Sequence, residues 1–204
     1  MPTIEIKHIS KSYGKNRIFN DLNAVFEFGI YGISGPNGSG KSTLMKCLAG
    51  LHRPDKGTVK WNLQDRNLEN KELCKHIGFS APYIQFYRDM SCVENLNLIT
   101  ELLGRKVDLH ALDYVLEVVG LTEKKDAWYG NLSSGQQQRL RIAGSLIKDP
   151  DFLLLDEPGT NLDAKGYKMV ESVVHTAAAN GKLVIIASND PVELALCSKI
   201  FSVV

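Results

Sequence analysis

The chain has 204 residues, 44% of them apolar and 23% charged, with a net charge of +1, which suits one soluble globular domain with a substantial core. A near-neutral balance without any Lys/Arg block argues against a nucleic-acid-binding face, and no apolar run reaches the 18 residues of a membrane span. The four cysteines, Cys47, Cys74, Cys92 and Cys197, form no CxxC pair and read as reduced thiols.

Residues 3–9 alternate polar and apolar positions, as a half-buried strand does. The β-like runs AVFEF and GIYGIS follow, the second leading straight into GPNGSGKST. From Lys41, KSTLMKCLAG predicts a helix closed by Gly50; LHRPDKG is a loop by its Pro and Gly, and GTVKW a further strand. Residues 83–146 are helix-rich. VENLNLITELLG and LHALDYVLEVVG carry apolar residues at three- and four-residue spacing, each closed by glycine. LSSGQQQRLRIAGSLIKDP predicts a small-residue loop, then a helix bounded by Pro150. FLLLDE is a continuous apolar run ending in two acids, the pattern of a strand covered on both faces. A helix with the stripe Val170, Val173, Val174 and Ala177 follows, stopped by Asn180 and Gly181. LVIIAS is a second buried strand, PVELALC a short helix and KIFSVV a last strand. This alternation implies an α/β fold with a mostly parallel sheet covered by helices, the helical middle being an insertion.

Gly35, Pro36, Asn37, Gly38, Ser39, Gly40, Lys41 and Ser42 match G-x-x-x-x-G-K-[ST] between a predicted strand and a predicted helix. The glycines let backbone N–H groups turn toward phosphate oxygens, and the helix N-terminus adds partial positive charge. Lys41 suits the β- and γ-phosphates and Ser42 a magnesium ion; Thr43 completes the loop. Asp156, at the carboxyl end of an apolar strand, is the second magnesium ligand, and Glu157 the group that polarises an attacking water. Together these read as a P-loop NTPase.

Leu132, Ser133, Ser134, Gly135 and Gln136, in a polar loop before a helix, narrow the class. This LSSGQ resembles the LSGGQ signature of ABC ATPases, with Ser134 in place of the first glycine. The resemblance covers essentially the whole chain. It implies ABC ATPase architecture: a mostly parallel central sheet, an N-terminal antiparallel β portion and a helical insertion. Residues 1–204 would form one such domain. Residues 1–82 and 147–204 would make the RecA-like core with its β portion, and 83–146 the helical subdomain carrying the signature. In the family, Ser133 and Gly135 reach across a head-to-tail dimer to the γ-phosphate held by the partner, Tyr13 stacks on adenine, and Asn161, Leu162 and Asp163 match the loop that communicates between the two sites.

Two positions depart from the family pattern. Asn189 stands where a histidine touches the γ-phosphate; it donates a hydrogen bond but carries no proton, so slower hydrolysis is expected. Pro82 stands where a glutamine senses magnesium and the attacking water, and Gln85 is the candidate to replace it. Val93, Glu94, Asn95 and Leu96 fit the family and fix the register.

The resemblance implies an ATP-binding subunit of an ABC transporter, with ATP and Mg²⁺ as ligands. A second ABC ATPase subunit, an identical copy favoured over a different one, and an integral membrane permease are its implied partners; nucleic acid is not. Without a signal peptide or span, the expected place is the cytoplasmic face of the membrane, held by the permease. Compact size resembles the small exporter ATPases, including haem exporters. The rival readings are a soluble non-transport ABC protein and a nucleotide switch with little hydrolysis.

Overall fold

A computed structural model describes residues 1–104 and 108–203. β1 (Thr3–Tyr13) and β2 (Asn16–Phe26) form a hairpin that turns at Gly14, whose φ of 59° suits glycine. β4 (Lys56–Leu63) pairs on the other side of β1, and the two-residue β5 (Arg66–Asn67) completes an antiparallel sheet in the order β2-β1-β4-β5. Along β1 the buried residues are Ile4, Ile6 and then Ile9 rather than the eighth. A register shift between Ile6 and Ile9, with His8 at φ 52°, shifts the alternation by one and brings Ile9 inward.

The second sheet is wholly parallel. Its order is β6 (Ile77–Ser80), β7 (Phe152–Asp156), β8 (Leu183–Ala187), β3 (Gly29–Ser34) and β9 (Lys199–Ser202). Every residue of β7 and β8 is buried, which is why both runs read as continuously apolar. Alternate side chains serve two cores. Phe152 and Leu154 join α1 (Lys41–Leu48) and the antiparallel sheet; Leu153 and Leu155 join the helices on the other face. Those helices are α3 (Cys92–Leu102), α4 (Leu109–Val118), α5 (Ser134–Leu146) and α6 (Ala164–Ala179). Segment 83–146 therefore shares one apolar cluster with the sheet and α6.

Some elements differ from the expected spans. The first strand runs on to Tyr13, and AVFEF is the end of a strand that begins at Asn16. The extension of β1, residues 10–13, is polar or exposed, while that of β2 carries Phe19 into the core and Ile18 and Leu22 against it among exposed polar residues of an edge strand. α2 (Asn70–His76) has no apolar stripe, since Leu73 is its one buried residue; Glu69 and Glu72 hold it through a reciprocal capping box. The helix in PVELALC is only α7 (Pro191–Leu194). Among the described residues, no helix is long and apolar enough to cross a membrane.

The chain leaves β3, β6, β7 and β8 at the same carboxyl edge of the parallel sheet, where open α/β sheets gather ligand-binding loops.

Candidate nucleotide-binding site

The loop after β3 holds Gly35, Gly38 and Gly40 at φ 155°, 82° and 100°. A Cβ on Gly40 would strike Ile18 Cγ2, and one on Gly35 would meet Val203 O and Ser39 Oγ. Glycine is therefore needed for both conformation and space. Pro36, Asn37 and Gly38 form the exposed crest. Gly40 caps α1 without a side-chain bond, so the first-turn amides of Lys41, Ser42 and Thr43 have no intrahelical partner. Lys41 is 5% exposed, and its Nζ donates to the carbonyls of Gly35 (2.7 Å) and Pro36 (3.1 Å), which keeps the ammonium inside the loop's curve. Ser39 Oγ is buried with no partner among the described residues.

Asp156 ends β7 and is 1% exposed; neither carboxylate oxygen has a hydrogen-bond partner among the described residues. Burial pushes its carboxyl above the usual carboxylate range, opposed by Ser42. Glu157 adds to the rise, while the Lys41 and Lys46 ammoniums work against it. An unpartnered buried carboxylate beside a serine hydroxyl fits a magnesium ion, which takes one or two protein oxygens and completes its shell with phosphate and water. No group of three or more His, Cys, Asp or Glu able to hold a metal occurs among the described residues. Glu157 follows in the left-handed region at φ 48°, its amide donating to Ala187 O at 2.8 Å. A non-glycine residue held there is strained, and such strain concentrates at functional sites.

Asn189 lies beyond β8, and its Nδ2 donates to Asn37 Oδ1 at 2.9 Å, so it reaches the crest of the loop. Ser133 caps α5: Oγ accepts from Gln136 N, and Gln136 Oε1 accepts from Ser133 N at 2.9 Å. A Cβ on Gly135 would lie 2.8 Å from Asn161 O, so only glycine permits this approach. Ser133, Ser134, Gly135, Asn161 and Asp163 line a polar recess of about 420 Å³ to which none of residues 35–43 contributes. Tyr13 is 47% exposed, and its hydroxyl is 3.0 Å from His52 Nδ1, beyond the far end of α1 from the phosphate loop. Ile18 and Phe19 of this hairpin lie against Gly40 of the loop.

The ABC transporter family model matches residues 20–160. The chain is 34% identical over 187 residues to the lantibiotic transport ATP-binding protein SrtF of Streptococcus pyogenes, covering 91% of this chain and 80% of that protein. The chain belongs to the ABC transporter ATP-binding family. It is also 33% identical over 187 residues to the bacitracin transport ATP-binding protein BcrA of Bacillus licheniformis, covering 91% of this chain. It spans about three fifths (61%) of BcrA's own length. The dimeric structure of a bacterial ABC transporter cassette aligns with a TM-score of 0.84 at 25% identity, over 98% of this chain and 94% of that one.

Within this cassette the structure brings together the phosphate loop, Asp156, Glu157 and Asn189. Gln85 is exposed and makes no hydrogen bond among the described residues. Tyr13 is tied to His52. Two further groups stand at the site without a sequence motif. Glu193, 3% exposed on α7, accepts from Gly159 N just after Glu157; burial pushes its carboxyl up, against Ser188 and that amide. Behind the same turn, buried Gln138 donates to Pro158 O at 2.9 Å and holds Arg141 through its Oε1.

Proposed function

We propose that this chain is the ATP-binding subunit of an ABC transporter. It binds MgATP at an interface between two ATPase subunits and hydrolyses it to drive a separate membrane permease. One observation carries the reading. The recess at Ser133 and Gly135 lies at the N-terminus of α5, a place that suits an anion, yet no residue of the phosphate loop lines it. These are two half-sites on one chain, and a head-to-tail pair joins each to its complement. An identical copy is the simplest partner, because this chain carries both halves.

In the composite site, the loop amides and Lys41 hold the β- and γ-phosphates, and the partner's signature loop covers the γ-phosphate. Tyr13 offers its ring to the adenine. Ser42 and Asp156 would hold magnesium, which would neutralise charge on the phosphate oxygens. Glu157 orients water and accepts its proton. Asn189 donates to the γ-phosphate from Nδ2. The relatives named as transport proteins support a permease partner, with this subunit peripheral on the cytoplasmic face. Asn189, which cannot carry a proton, favours one second reading, a nucleotide switch with little hydrolysis.

The test is equilibrium MgATP binding and turnover for the wild type and Glu157→Gln. Retained binding with turnover lowered at least about a hundredfold is expected. A wild type that binds MgATP without turnover selects the switch; one that does not bind MgATP sinks the assignment. Purification from solubilised membranes should bring a multi-span protein with it, whereas ribosomes or DNA would point to a non-transport role.

A further inference from the structure

The segment after β6 is built in an unusual way for its place. Ser80 pairs with Leu155, so the chain leaves β6 level with Asp156 on the neighbouring strand. There Ile84 N donates to Ala81 O at 3.1 Å, closing a four-residue turn with Pro82 at its second position. Proline suits that position because its φ is already fixed near the value the turn requires. The residue that displaces the expected glutamine therefore has a structural effect: it makes the third turn position, Tyr83, the one that projects.

Tyr83 is held from two sides. Lys46 Nζ lies 4.1 Å from its ring centroid, within cation–π range, and Phe79 packs at 6.4 Å between centroids. Lys46 is one turn of α1 beyond Ser42 and so lies on the same helix face. The phenol is thereby placed over the face of α1 that carries Ser42, beside the carboxylate of Asp156. That carboxylate is buried with both oxygens unpartnered. A phenol keeps its proton in the neutral range and is an O–H donor there. Gln85, two residues on, is exposed and makes no hydrogen bond among the described residues.

We propose that Tyr83 is the positioning residue of the magnesium site: its hydroxyl, beside an Asp156 carboxylate that makes no hydrogen bond among the described residues, donates to that carboxylate when the ion binds and orients it. The proposal rests on the MgATP reading above. Carboxylates that ligate metals depend on outer partners of this kind, whose removal weakens the metal by roughly ten- to a hundredfold. Placement depends on the turn and on Lys46, while the effect on the ion passes only through the hydroxyl.

Tyr83→Phe separates the two, because it keeps the ring, its contact with Lys46 and its 44% open surface. The probe is Mn²⁺, counted by electron paramagnetic resonance on ATP-loaded protein, with nucleotide affinity measured separately in EDTA. We expect unchanged ATP affinity in EDTA and Mn²⁺ affinity about tenfold weaker. The Mg²⁺ concentration for half-maximal turnover should rise in parallel. Gln85→Ala should alter none of the three. Mn²⁺ binding equal to wild type in Tyr83→Phe, or the loss appearing in Gln85→Ala instead, overturns the assignment. Wild-type protein that fails to bind ATP with or without divalent ion overturns the nucleotide reading itself, a result distinct from either.

Discussion

Tyr13 has a tie to His52 and, in the function proposed above, a stacking face for adenine. Its hydroxyl is bound to His52, while nearly half its surface remains open for another ring. Base–aromatic stacking contributes about 1–3 kcal/mol and depends on the ring face, not the hydroxyl. Tyr13→Phe should therefore bind ATP at least as tightly as wild type, since it loses only the tie to His52. Tyr13→Ala should bind roughly tenfold more weakly. Titration with a fluorescent ATP analogue reads both; equal affinity in all three proteins would remove Tyr13 from the adenine site. The three cysteines with shifted thiols behave differently. Burial pushes Cys47, Cys92 and Cys197 up to about 11, and such protonated, enclosed thiols pack rather than react.

At the scale of elements, the turn after β7 is fixed from two directions. Gln138 on α5 holds Pro158 O, and Glu193 on α7 holds the amide of Gly159. A Cβ on Gly159 would collide with Glu193 Oε1 and with the Tyr167 ring. Glu193 is 3% exposed; burial raises its carboxyl, and Asp190 and Glu157 add to the rise. The sign follows from linkage. The folded state holds this proton more tightly than the unfolded chain, so its stabilising effect is complete below about 4.5, the unfolded value. It is lost as pH rises through the native value. Glu193→Gln keeps an acceptor for Gly159 and has no charge to desolvate. Its stability relative to wild type should therefore increase from pH 4.5 to pH 8 in urea unfolding. A pH-independent difference would mean that Glu193 titrates as a solvated acid. Asp156, raised in the same direction, is present in both proteins and cancels.

At the scale of the whole molecule, the sequence was most legible where chemistry is contiguous. The phosphate loop, the apolar runs of β7 and β8 and the LSSGQ cap each lie within a dozen residues, so local pattern alone locates them. What it concealed depends on pairing at a distance. Ile18 meets Gly40 through hairpin packing, Glu193 meets Gly159 across 34 residues, and Tyr83 stands beside Asp156 through the β6–β7 register. The same limit applies to the assembly, because the composite site proposed above takes two chains and a sequence describes one. A mixing experiment reads this directly. Lys41→Ala disables the phosphate loop of a chain and leaves its signature recess intact. Gly135→Trp blocks the recess, where even a Cβ would strike Asn161, and leaves the loop intact. Each variant alone should form only damaged composite sites and lack turnover. A mixed head-to-tail dimer contains one site with both halves unaltered, so combining the two inactive proteins should restore ATPase activity, to about a quarter of wild type if chains pair at random and sites act independently. Activity that stays absent after mixing, with both variants folded and mixed dimers present by mass measurement, would exclude independent composite sites shared between identical chains. It would then favour a partner ATPase of different sequence.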